Sequence, residues 1–231
     1  MNQNLKNILA ICIGILPFNI IMVWYRLTQT AGFTIFDMLV YPLIFGGGII
    51  LLILVLNKYL LKKDIKAFNP GKGKWYWDIL IGIGLTAVYF IFVYVEQATI
   101  SRLLPQQSPP SQEVINLMTG LANNPLLLAI WLGPVVWLGV AGFEEVQRIF
   151  FMNCLWSLSK NKYWELFTIL LVAVVWGFMH LYQGSFGIIS VSIQGVIMGA
   201  YYYKFRRIWP LIISHALFDS IQIIMFVIQV S

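Results

Sequence analysis

Charge is what this sequence has least of: only 10% of its 231 residues are Asp, Glu, Lys or Arg, against 60% hydrophobic residues and a mean hydropathy of +0.81. A water-soluble domain of this length needs more polar surface, so the composition excludes that class and points to a polytopic membrane protein. Cysteine is nearly absent as well. Cys12 and Cys154 lie in separate apolar segments without partner spacing, which rules out a disulfide framework and a zinc knuckle. The N-terminal apolar run from Ile8 to Tyr25 is long, contains Pro17 and Asn19, and ends without a small-residue cleavage pattern. It is read as an uncleaved first span and not as a removable signal.

What is present is a series of apolar runs. Segments of about 7–25, 36–61, 76–98, 125–158, 163–181, 185–203 and 208–230 are each able to cross a bilayer. They predict an all-α fold, a polytopic transmembrane helical bundle of about seven to eight membrane helices. One membrane-embedded domain is expected over 1–231, with N-terminal spans and an outer loop over 1–124 and a core bearing polar motifs over 125–225.

The fifteen basic residues sort by side. Lys6, then Lys58, Lys62, Lys63, Lys66, Lys72 and Lys74, then Lys160 and Lys162, then Lys204, Arg206 and Arg207 fall on one face; Arg26 and Arg102 fall opposite, and Arg148 lies within a span. Because basic loops stay cytoplasmic, a multi-pass protein of the cell membrane with a cytoplasmic N-terminus and an outer C-terminus is expected. The formal charge of +6 is thereby explained by topology, and no nucleic-acid partner is implied.

Three details refine the outline. The stretch LLPQQSPPSQ, residues 103–112, cannot be a span and reads as an extended connector before a short helix near 113–121. Gly195 and Gly199 stand at the GxxxG spacing that lets another helix approach closely, here predicted to be one of the same chain. A straight helix over 125–158 would be ~51 Å long, more than the ~40–45 Å of a whole bilayer, so a bend is required. Gly133, Pro134, Gly139 and Gly142 place it just before Phe143.

Ionisable residues deep in the spans are few: Glu144, Glu145, Arg148, His180, His215 and Asp219, including both histidines of the chain. An Arg or Asp at a helix centre costs at least ~2.5–3.5 kcal/mol on insertion scales, so such groups should face one another or a wet cavity. In FEEVQRIFF, Glu144 and Glu145 stand i+4 and i+3 from Arg148, so the arginine can pair with either carboxylate while the other projects elsewhere. His180 ends an apolar helix beside Tyr182 and Gln183 in WGFMHLYQG. His215 and Asp219 share a helix face in ISHALFDS.

Each cluster alone could be structural, as a buried ion pair, an interfacial histidine or a packing pair; together they suggest chemistry. Glu144 with His180 could deprotonate a water while His215 and Asp219 stabilise an oxyanion. Alternatively His180, His215 and a Glu or Asp, Glu144 first among them, could hold Zn²⁺ with one position left for water. Either arrangement hydrolyses an amide.

The three clusters, GFEEVQR, WGFMH and HALFD in that order, resemble the type II CAAX prenyl protease family of intramembrane proteases, also called Abi or CPBP, whose pattern is EExxxR, FxxxH and HxxxN/D on separate helices. The resemblance covers about residues 125–225. It departs in two places: two residues, not three, separate the glutamate pair from Arg148, and Trp176 stands at the usual Phe. It implies a helical-bundle peptidase acting on a membrane protein or peptide within the lipid bilayer, with Glu144, Glu145, Arg148, His180, His215 and Asp219 as site residues and Glu144 favoured as the catalytic carboxylate, Glu145 being the alternative that the shortened spacing leaves open. Some relatives are linked to bacteriocin immunity, so a non-catalytic scaffold or regulator on the same fold is the rival expectation. Ion or proton transport through the polar cavity is a third.

Overall fold

A backbone in hydrocarbon must satisfy its own N–H and C=O groups, and this chain does so by winding into helix almost throughout. The computed structural model describes residues 1–28, 39–99, 112–181 and 184–230, and among them there is no strand. Arg102, the connector over 103–111, Tyr182 and Gln183 lie outside the described residues.

The elements are α1 (Gln3–Gly14), α2 (Leu16–Thr28), α3 (Leu39–Leu60), α4 (Trp75–Ala98), α5 (Gln112–Ala122), α6 (Pro125–Trp156), α7 (Lys162–Met179), α8 (Gly184–Phe205) and α9 (Trp209–Val230). Seven helical stretches among the described residues are long and apolar enough to cross a membrane, namely Gln3–Ile21, α3, α4, α6, α7, α8 and Trp209–Gln229. They match the seven spans expected. The short α5 is the helix anticipated after the proline-rich connector.

The long α6 bends, but not where its glycines suggested. Non-helical dihedrals fall at Gly133 (φ −89°, ψ −107°), directly before Pro134, and residues Trp131–Gly142 then follow a wide π-type winding before the α-helix resumes at Phe143. Pro134 explains the position, since its ring lacks an N–H and clashes with the preceding turn. Gly139 and Gly142 serve other ends. A Cβ on Gly139 would sit 2.8 Å from the backbone of Pro42, and one on Gly142 would sit 2.6 Å from the carbonyl of Trp137. The first permits α3 to cross α6 backbone to backbone, and the second permits the widened turn itself.

Small residues also set the α7–α8 contact. A Cβ on Gly195 would approach Ala173 to 3.1 Å, and one on Gly199 would approach Ile169 to 2.6 Å, so the GxxxG spacing serves packing within the chain. On α9, Pro210 and Ile213 close over Gly82 of α4 in the same manner.

The basic loops meet at one end of the bundle. Gly71 N–H donates to the Arg206 carbonyl at 2.9 Å, Arg207 donates to the carbonyl of Gly71 and pairs with the carboxylate of Asp78, and Lys63 Nζ donates to Ser157 Oγ at 3.2 Å. Three separate basic loops therefore share a face, as their charge implied.

Candidate active site

The α-helix that restarts at Phe143 carries both glutamates in its first turn and Arg148 one turn on. Glu145 is fully enclosed, at 0% exposure, and its Oε1 accepts from Arg148 Nη1 at 2.6 Å and from His215 Nδ1 at 2.9 Å. Glu144 points elsewhere. Its side chain keeps 18% exposure, and Oε2 stands 3.9 Å from Arg148 Nη2. The one-residue offset turns the two carboxylates about 100° apart on the helix, which is why one is interior and the other reaches open space.

Arg148 is itself buried, at 3% exposure, and its guanidinium lies 5.5 Å over the ring of Trp176, with the Met198 sulfur against it. The aromatic at position 176 thus supplies a face on which the cation rests. An arginine that pairs with carboxylate and stacks on an indole has little rotational freedom, and this fixes the glutamates it touches.

His215 joins α9 to α6. Its Nδ1 donates to Glu145, and its Nε2 lies 3.5 Å from Asp219 Oδ2, one turn further along the same helix. With a carboxylate at each nitrogen, one proton must be shared across the Nε2–Asp219 contact, either on the imidazole or on the carboxyl group.

His180 caps the C-terminal end of α7, half-buried, with Nδ1 2.9 Å from the carbonyl of Trp176. A carbonyl only accepts, so this contact makes Nδ1 the protonated nitrogen and Nε2 the basic one. His180 and Arg148 are thereby both referred to Trp176, one through its carbonyl and one through its ring.

The sequence-derived set is accordingly gathered as follows: Glu144, Glu145, Arg148, His215 and Asp219 form one connected cluster, and His180 is tied to the same Trp176. Glu144, His180 and His215 are the donors zinc would use. Among the described residues no three His, Cys, Asp or Glu side chains converge as a ligand set, and both nitrogens of His215 already face carboxylates. As arranged, these residues do not fit a zinc centre.

Several contributors had no sequence signal. Tyr89 of α4 is fully buried, makes no hydrogen bond of normal length, and feels the charges of Glu145 and Arg148 and the dipole of the Ser214 hydroxyl. The same helix holds the turn of α9 that carries His215: Thr86 Oγ1 reaches the Ser214 carbonyl at 3.3 Å, and Tyr89 meets Phe218 edge to face at 5.9 Å. Outside the cluster, the buried carboxylate of Glu96 accepts from Ser190 Oγ at 2.7 Å. Its place near the end of a span and its partner 94 residues away hide it from motif reading.

A bundle with acid, base and cation enclosed between membrane helices defines a membrane-embedded site of the kind that can carry out hydrolysis. Comparison with known proteins points the same way: residues 125–221, less than half of the chain, match the family model of the type II CAAX prenyl endopeptidases, Rce1-like. The chain is a multi-pass membrane protein. No curated protein and no solved structure shows a significant match to it.

Proposed function

We propose that this protein is an intramembrane endopeptidase that hydrolyses peptide bonds of membrane-associated proteins or peptides, using a water activated by Glu144 and His180. The observation that carries the reading is the unequal situation of two adjacent carboxylates: Glu145 is enclosed and engaged through Oε1 by both Arg148 and His215, while Glu144 keeps 18% exposure and only a 3.9 Å contact to Arg148. A structural ion pair needs one glutamate. The second, partly open one is in the right state to meet a water.

In this mechanism Glu144 takes a proton from water as the water oxygen bonds to the scissile carbonyl carbon, and His180 Nε2 accepts the water's other hydrogen bond. The carbonyl electron pair moves onto oxygen, where the proton shared by His215 and Asp219 stabilises it. On collapse the carbonyl re-forms, the C–N bond breaks, and Glu144 returns its proton to the leaving nitrogen. Glu145 and Arg148 act as positioning residues.

The basic face is assigned to the cytoplasm and the membrane to the cell membrane, with the N-terminus inside. Reconstituted in liposomes, the wild type is expected to cleave membrane-anchored peptides, and Glu144→Ala and His180→Ala are expected to abolish cleavage while still inserting and eluting as the wild type does. Full activity in both variants refutes the assignment. A chelator is expected to leave the wild-type rate unchanged; loss of activity restored by zinc would replace the metal-free mechanism.

The shortened spacing from the glutamate pair to Arg148 favours a second reading, a non-catalytic scaffold or regulator. On that reading, partner binding survives substitution of both His180 and His215.

A further inference from the structure

Away from the carboxylate cluster, a cavity of about 360 Å³ opens at the basic end of the bundle, between the 63–70 segment, the last turns of α3 and α6, the first turn of α7 and the residue that follows α8. Its walls combine the aromatic rings of Phe68, Phe150 and Trp156 with Lys63, Ser157 and Arg206.

The two cations are held in place. Among the described residues only Lys62 and Arg206 are non-glycine residues with positive φ, at 56° and 55°; Arg206 itself lines the cavity, and Lys62 is the exposed neighbour that turns the chain into the lining Lys63. Glycine is the usual residue at such helix ends, so two basic residues there represent strain that the surroundings must maintain. The maintenance is visible. The Asn57 side-chain amide donates to the carbonyls of Lys63 and Asp64, each at 3.1 Å, fixing the first turn. At the second, the Arg206 guanidinium carbon lies 4.2 Å over the ring centroid of Trp156, with the rings of Tyr202 and Tyr203 each 5.8 Å away. A guanidinium held over an aromatic ring keeps its N–H donors for an acceptor, and their fork suits a planar or tetrahedral oxyanion.

Among the described ion pairs neither Lys63 nor Arg206 has a carboxylate partner. Glu165 is the one acidic residue on the wall, so the cavity keeps a net positive charge. Two prepared cations, a hydroxyl and an aromatic wall at the ends of membrane helices match a group that is anionic at its head and apolar behind it.

We infer that this cavity is a phosphate-ester site, filled in the membrane by the headgroup of an anionic phospholipid. Basic pockets between helices at the membrane surface bind such headgroups through charge at short range.

The test uses the full-length protein in neutral detergent, with retention of phosphatidylglycerol and of phosphatidylcholine compared by native mass spectrometry. The wild type is expected to prefer phosphatidylglycerol, and Lys63→Gln with Arg206→Gln is expected to lose roughly 30-fold of that preference. Lys58→Gln with Lys204→Gln, which removes the same charge from exposed positions on the same face, is expected to keep it. Competition by glycerol 3-phosphate as effective as that by the lipid assigns the same site to soluble phosphate esters; a requirement for acyl chains assigns it to lipid. Should the double variant not fold, Arg206→Lys, which keeps the charge but loses the planar stack, is expected to weaken retention. No discrimination between the two lipids, an equal loss in the exposed-lysine control, or unchanged retention in Arg206→Lys overturns the inference.

Discussion

Replacing Glu145 by glutamine separates holding the site together from performing its chemistry. The carboxylate is at 0% exposure and accepts from both Arg148 at 2.6 Å and His215 at 2.9 Å, so glutamine keeps the volume but removes the charge that both donors face. Arg148 is left buried with only Glu144 at 3.9 Å. Breaking a buried pair on one side costs about 3–5 kcal/mol, because the surviving charge is not resolvated. At roughly 2–4 °C per kcal/mol for a chain of this size, the melting temperature should fall by roughly 6–20 °C. Glu144→Gln loses only a long, partly exposed contact, worth about 0–1 kcal/mol, and should melt within a few degrees of the wild type. It should nevertheless lose about 10²–10⁴-fold in rate, the usual contribution of a general base. Thermal unfolding of both variants in the same detergent, followed by intrinsic tryptophan fluorescence, reads the stability half. Equal melting temperatures for the two variants would refute the division of roles between the glutamates.

Two further outcomes follow from the packing. Tyr89→Phe removes a buried hydroxyl that makes no normal hydrogen bond, so stability should change by less than ~1 kcal/mol; a drop of several degrees in melting temperature would mean that the hydroxyl holds Glu145 in place. Gly199→Leu drives a side chain into Ile169, where a Cβ alone already comes to 2.6 Å, and should cost about 1–3 kcal/mol, whereas Gly84→Leu, with nothing within 4 Å, should not; equal melting temperatures would contradict the close α7–α8 approach.

The spans were legible because hydrocarbon imposes one simple rule on run length, and the candidate cluster was legible because ionisable groups in such runs are costly enough to stand out. Helical spacing was sufficient to pair Arg148 with the glutamates and His215 with Asp219. It could not say which glutamate faces inward, since that depends on where α9 places His215, 70 residues away. The bend was misplaced by about ten residues because four candidate breakers looked alike in sequence. Only Gly133 with Pro134 breaks the helix, while Gly139 is small to admit Pro42. Tyr89 was invisible for another reason. An aromatic in an apolar span carries no signal until its neighbours are known.

The most direct measurement is a mass-spectrometric comparison of the termini of membrane proteins and peptides in native membranes containing either the wild type or Glu144→Gln at equal abundance. The account predicts termini that appear with the wild type and are absent with Glu144→Gln. Identical profiles from two folded, abundant proteins would contradict it and leave the scaffold reading in its place.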